Sequence, residues 1–211
     1  MNEFKIKSRH NPELEVEVRE GHFATQNCHN SHYIDITALK HDHVMAREAA
    51  MSIAARYSFF TAIDTIVCVD GSEVIGAFLA FHLAKKGNWY VNAKKHIGVL
   101  PTEFDEDGQL NFRDNLVPMI SGKKVLLLIS TVKSGKTIAR VMEGLKKYGT
   151  TVQGIATVFT TQEELYGIPV YSLYSQEDLP GYVCAEPQEC PMCKAGKKID
   201  AFANSYGISK A

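Results

Sequence analysis

The sequence predicts an α/β protein: a doubly wound, mainly parallel sheet, preceded by an N-terminal segment and followed by a cysteine-containing tail. Three observations carry that prediction. Short, nearly continuous apolar runs, AIDTIVCV at 62–69 and KVLLLI at 124–129, read as strands buried on both faces. Each is followed by apolar residues at helical spacing: Ile75, Phe78, Leu79, His82 and Leu83 after the first, Ile138, Val141, Met142 and Leu145 after the second. Strand and helix then keep alternating, the pattern of a parallel sheet covered on both faces.

In chain order, LEVEV at 14–18 alternates apolar and acidic residues and reads as a strand with one exposed face. Val44 to Tyr57 is Ala-rich, with Ala49, Ala50, Ile53, Ala54 and Tyr57 on one helical face. The run to Val69 ends in a DGSE turn, and the helix after it stops at Lys85, Lys86 and Gly87. WYVN at 89–92 reads as the next strand. Residues 93–122 show no clear period, and FDEDG marks a polar turn within them. The helix after KVLLLI ends at KKYG, and VQGIATVF and IPVYSL supply two more strands. The parts are an N-terminal segment (1–43), an α/β core (44–175) and a tail (176–211) within one domain.

Composition narrows the function. The 211 residues are 45% hydrophobic and 22% charged, enough to bury a core without disulfide staples. Lys plus Arg is 23 against 24 for Asp plus Glu, so the net charge of −1 gives no field to steer nucleic acid or anionic lipid. No apolar run approaches the ~20 residues of a membrane helix, and the charged start MNEFKIKSRH is no signal peptide. A cytoplasmic protein with reduced thiols is the expectation, and its five cysteines then read as free thiols or metal ligands.

In such sheets ligands bind beyond the carboxyl ends of the strands, so the loops after Val69 and Ile129 matter most. Ser130, Thr131, Val132, Lys133, Ser134, Gly135, Lys136 and Thr137 join an apolar strand to a helix. Free backbone N–H groups and the positive helix end suit a phosphate there, with hydroxyls and lysines in support. Read as a Walker A loop, the segment has Gly135, Lys136 and Thr137 in place but Ser130 where the first glycine belongs, and GIATVF does not end in a Mg²⁺-positioning acid. A degenerate P-loop nucleotide-binding protein is thus the weaker reading.

VLLLISTVKSGKT resembles the phosphoribosyl-pyrophosphate (PRPP) signature of type I phosphoribosyltransferases. GHFATQNCHNSHYID resembles the hood segment of orotate phosphoribosyltransferases, and DTIVCVDGSEVIGAFLAFHLA the family's first core strand, pyrophosphate loop and following helix. ECPMCKAG is similar to the Cys-Pro-x-Cys tail of some long orotate enzymes. The resemblance runs through most of the chain in the family's order. It implies Mg²⁺-dependent transfer of ribose 5-phosphate from PRPP to a nucleobase, a pyrimidine by the orotate likeness, in a homodimer. Residues 131–137 would hold the 5-phosphate of PRPP or of a nucleoside monophosphate, and Asp70, Gly71, Ser72 and Glu73 would form the pyrophosphate loop. Lys94 and Lys95 would meet the departing pyrophosphate, and a flap would span about Ile97 to Asn115.

The chain departs from that pattern at the family's paired acids, which align with Ile129 and Ser130. A hydrogen bond to a charged group is worth ~1.5–3 kcal/mol. Losing two is ~3–6 kcal/mol, or roughly two to four orders of magnitude in rate. In the hood, Gln26 stands near the usual Lys and Cys28 at the usual Gly, and Asn92 lies near an expected Arg. A catalytically weak or inactive nucleotide-binding relative is therefore the alternative to an active transferase.

Cys184, Cys190 and Cys193 are spaced C-x₅-C-x₂-C, and Cys190–Cys193 resembles a zinc knuckle. Zn²⁺ would need a fourth ligand from Cys28, His29 or His32. His29, His32, His41 and His43 otherwise read as capping or surface residues, and Asp35 as a strand end or turn cap.

Overall fold

The computed structural model describes residues 2–85 and 90–211. Its first sheet is built from both ends of the chain. β1 (Glu3–Lys7), β2 (Glu15–Ala24) and β3 (His29–Asp35) form an antiparallel meander. Two helices follow, α1 (Thr37–His41) and α2 (His43–Tyr57). Asp42 caps α2 by accepting from the N–H groups of Val44 (2.9 Å) and Met45 (3.0 Å). Asp35 Oδ1 likewise accepts from Thr37 N (3.0 Å), ending β3 and capping the next turn.

The core continues with β4 (Thr65–Val69), α3 (Glu73–Leu83) and β5 (Gly98–Pro101). A small hairpin comes next, β6 (Glu103–Phe104) and β7 (Leu110–Asn111), then the short α4 (Val117–Ile120). β8 (Lys124–Val132), α5 (Lys136–Lys146), β9 (Thr151–Thr160), β10 (Glu164–Leu165) and β11 (Ile168–Ser175) complete it. The second sheet has the order β10-β11-β9-β8-β4-β5, parallel except at β10.

Alternation along its central strands explains why their middles are continuously apolar. Ile66 and Cys68 of β4, with Leu126 and Leu128 of β8, pack with Ile53 of α2 and Ile75 and Leu79 of α3. Val67, Val69, Val125, Leu127 and Ile129 pack with Ile138, Val141 and Leu145 of α5. Each strand thus feeds two cores, as a doubly wound fold requires.

Two expectations change. Tyr90–Asn92 form a turn rather than a strand, while Trp89, with Lys86 and Gly87 of the helix stop, lies outside the described residues. Asn92 is buried there, its Oδ1 accepting from Ile63 N (2.9 Å) and its Nδ2 donating to Thr61 O (2.8 Å). The strand beside β4 is instead β5, whose four residues include a Gly and a Pro and carry little strand signal. The segment expected as a flap from Ile97 therefore begins as sheet, and the hairpin beyond it, turning at Asp105–Gly108, lies outside the main sheet and packs on α5.

The tail is folded into the first sheet. β12 (Cys184–Ala185), α6 (Pro191–Lys194), β13 (Ala201–Asn204) and β14 (Gly207–Lys210) follow the core sheet. β12 pairs with β3 and β13 with β2, so the tail completes the N-terminal sheet. No helix among the described residues is long and apolar enough to cross a membrane.

The hairpin is seated on α5 through Gly144, where a Cβ would fall 2.4 Å from Leu110 Cβ. Gly144→Ala is therefore expected to cost about 1–3 kcal/mol, read by urea denaturation. Hydrogen exchange should accelerate at 103–111 while β8 and β9 stay protected.

Candidate functional site

A cavity of about 350 Å³ lies beyond the carboxyl ends of β4 and β8. Asp70 and the chain from Ile129 to Arg140 form its floor, Thr25–Cys28 and Tyr33 of the first sheet one wall, and Ala203–Gly207 of the tail another. Ser130, Thr131 and Val132 prove to be the end of β8, so the loop proper is Lys133, Ser134 and Gly135. Gly135 is left-handed (φ 73°), and a Cβ there would meet Leu165 Cδ2 at 3.1 Å. That turn starts α5 with no side-chain cap, which leaves its first N–H groups at the cavity.

The two loops are tied together. Ser130 Oγ donates to Asp70 O (2.9 Å), and the Ser130 carbonyl accepts from Thr157 Oγ1 (3.2 Å). Asp70 (φ 58°) and Gly71 (φ 72°) are both left-handed, so the chain turns sharply between β4 and α3. Ser72 is buried and donates to Leu128 O (2.9 Å), a structural bond. Glu73 opens α3.

Asp70 faces two cations that sequence reasoning missed, Lys40 and Arg140. Burial pushes its carboxyl up, and the charges of Lys40 and Arg140 oppose the push. Lys40 is buried, and its Nζ donates to the Ser205 carbonyl in the tail. Burial holds its ammonium below the ordinary range, against the pull of Asp70 and Glu73. Arg140 lies with its guanidinium 5.4 Å from the Phe104 ring centroid, linking the hairpin to the cavity. Neither residue has a sequence signal: one sits on a five-residue helix, the other on the polar face of α5.

Lys133 and Lys136 point in different directions. Lys133 is half-buried beside Cys28 and Cys184, where desolvation lowers its pKa against the attraction of the thiols. Lys136 is exposed and pairs with Glu186 (2.8 Å), which raises it. Lys94 and Lys95 are not brought to the cavity. The Lys94 N–H donates to Ala84 O past the end of α3, and Lys95 Nζ lies 4.0 Å from Asp64 just before β4. Both therefore sit at the amino end of the strands, opposite the loop at 133–135.

The cysteines separate into two groups. Cys184 lies against Cys28, and its hydrogen bond, helped by Thr25 and Lys133, pulls the Cys28 thiol down to about 5. The same bond raises Cys184. Cys190 and Cys193 gather instead with His22 and His29, all four ligand atoms lying within 4.8 Å of one another. Cys184 is thus not part of this cluster, His29 is more than a surface residue, and His22 was not anticipated. Burial, with the neighbouring His22, disfavours the charged form of His29, and a neutral imidazole is the form that ligates metals.

No family model matches the chain. It is 27% identical to the orotate phosphoribosyltransferase of Thermotoga maritima over 186 residues, 85% of this chain and 88% of that protein. To the Chlorobium phaeobacteroides orotate phosphoribosyltransferase it is 29% identical over 189 residues, 86% of each. A solved structure of Mycobacterium tuberculosis orotate phosphoribosyltransferase, in complex with Fe(III) dicitrate, matches with a TM-score of 0.53 at 14% identity, over 78% of this chain and 93% of that one. The structural likeness speaks to the fold alone, while the sequence likeness runs through most of each protein. Taken together, they make the chain similar to orotate phosphoribosyltransferases in sequence and to the type I phosphoribosyltransferases in fold.

Proposed function

We propose that the protein binds PRPP in this cavity and transfers its ribose 5-phosphate to a nucleobase, a pyrimidine in the first instance, with release of pyrophosphate. The charge of the cavity supports this most directly. Lys40, Lys133, Lys136 and Arg140 line it against a single carboxylate, Asp70, among the described residues. Such a lining suits a polyanion, and the uncapped start of α5 suits its 5-phosphate. The relatives named as orotate phosphoribosyltransferases support the same reading.

The residues divide the work. The N–H groups of α5, with Ser134 and Thr137, hold the 5-phosphate. Lys40 and Arg140 stabilise the anionic end and position Asp70. Magnesium, carried in with the diphosphate, would neutralise the leaving group, and Asp70 is the cavity carboxylate available to hold it. A cytoplasmic homodimer goes with this reading.

Ile129 favours a second reading, a binding relative that turns over weakly. It is buried in the apolar cluster under α5 and offers nothing to a positively charged anomeric centre. Pyrophosphate release from Mg²⁺–PRPP, with and without orotate, tests both. Orotate-dependent release is expected, and Ser130→Asp should raise it roughly ten- to a hundredfold by restoring one charged hydrogen bond. PRPP binding without release from either protein would establish the binding relative, and no PRPP binding would remove both readings.

A further inference from the structure

Zn–N bonds of ~2.0–2.1 Å and Zn–S bonds of ~2.3 Å, at the tetrahedral angle, place two nitrogens about 3.3 Å apart and sulfur and nitrogen about 3.6 Å apart. His22 Nε2 lies 3.0 Å from His29 Nδ1 and 3.6 Å from Cys190 Sγ. Cys193 Sγ is 3.6 Å from His22 Nε2 and 3.3 Å from His29 Nδ1. Four donor atoms from segments some 170 residues apart in sequence therefore surround one point at close to the spacing of a tetrahedral ion.

The surroundings prepare the ligands. His22 Nδ1 lies 2.9 Å from the Lys197 carbonyl and 3.2 Å from that of Lys198. Carbonyls only accept, so Nδ1 carries the proton and Nε2 presents its lone pair inward. The Cys190–Cys193 turn is closed by Lys194 N donating to Cys190 O (3.0 Å), the geometry of a knuckle. His22 and Cys190 are fully buried, where polar groups need partners.

We propose that His22, His29, Cys190 and Cys193 bind one zinc ion, releasing the two thiol protons, and that this ion fixes the tail to the N-terminal sheet. Two nitrogens and two sulfurs are a zinc donor set, and four protein ligands leave no open position, so the site is structural. Its grip reaches the cavity. His22 N donates to Asp200 Oδ2 (2.7 Å) and Asp200 N to His22 O (2.8 Å), and the chain then runs through β13 to Ser205, the partner of Lys40.

The test is metal analysis of untagged protein, purified without chelator, incubated with excess zinc and desalted. About one zinc per chain is expected. Cys190→Ser and Cys193→Ser should lose it, while Cys28→Ser and Cys184→Ser keep it. If the knuckle variants do not fold, two measurements on the native sequence replace them. Mercurial titration should release zinc as two thiols react, and cobalt substitution should give a tetrahedral spectrum with thiolate charge transfer. Zinc well below one per chain, zinc lost from Cys184→Ser, or an octahedral cobalt spectrum would each overturn the site. None of these readings depends on turnover, so they stand apart from the test of phosphoribosyl transfer.

Discussion

Gly135→Ala is expected to weaken the binding of PRPP and of inorganic phosphate by about tenfold, while Gly149→Ala leaves both unchanged. The two glycines bracket α5 and share a backbone conformation, φ 73° at its start and φ 63° just past its end. A left-handed L-residue costs roughly 1–2 kcal/mol at either position, so both variants should lose a similar increment of thermal stability. Only at 135 does the strain act on a binding surface. An added Cβ there presses on Leu165 at 3.1 Å, whereas nothing lies within 4 Å of position 149. Relaxing that strain rotates the first turn of α5 and misdirects the N–H groups that face the cavity. At 1.4 kcal/mol per decade, the strain converts to about tenfold in affinity. Calorimetric titration of both variants decides the matter, and an equal loss of affinity in the two would show that the loop does not hold the phosphate.

What the sequence disclosed followed from burial on both faces of the sheet. β4 and β8 are visible because neither face meets water, so four consecutive positions in β4, Ile66–Val69, and five in β8, Val125–Ile129, had to be apolar. The loop from β8 to α5 is visible because a strand, a left-handed glycine and a helix start are contiguous. Contacts made across the chain were hidden. β5, β12 and β13 are two to four residues long, too short for a period to show. Lys94 and Lys95 looked like site residues by their place after the expected second strand, yet that strand lies later, and the lysines fall at the other end of the sheet. His22 stood in a Gly-His-Phe segment read only for its likeness to a hood. A Cys-Pro-x-Cys turn short of two ligands was the available hint that distant histidines should be sought.

Replacing Lys40 by Met and Asp70 by Asn together should leave the protein more stable to heat than Lys40→Met alone, while removing most of its affinity for PRPP. Burial acts on both groups. Asp70 titrates in the folded protein above its ordinary value of 3.8, so its contribution favours folding in acid and is lost as the pH rises through the folded pKa. Lys40 titrates below its ordinary 10.5, so its penalty is complete below the lowered pKa and fades as the pH climbs from there toward 10.5. Wherever each group is charged, its burial costs the fold stability. Two opposite charges that burial disfavours can be exchanged for uncharged residues at little cost from the charges themselves, whereas removing one leaves the other less compensated. Lys40→Met alone should therefore lower Tm, because Asp70 is left with Arg140 as its cation and Ser205 O loses its donor. Asp70→Asn alone should lower it less, since Lys40 keeps the Ser205 carbonyl. Thermal denaturation near neutral pH, paired with PRPP titration, reads both quantities. A double variant less stable than either single would make the pair a structural tie; one that is stable but no longer binds would mean that the two charges are kept at a cost to the fold because the ligand needs them.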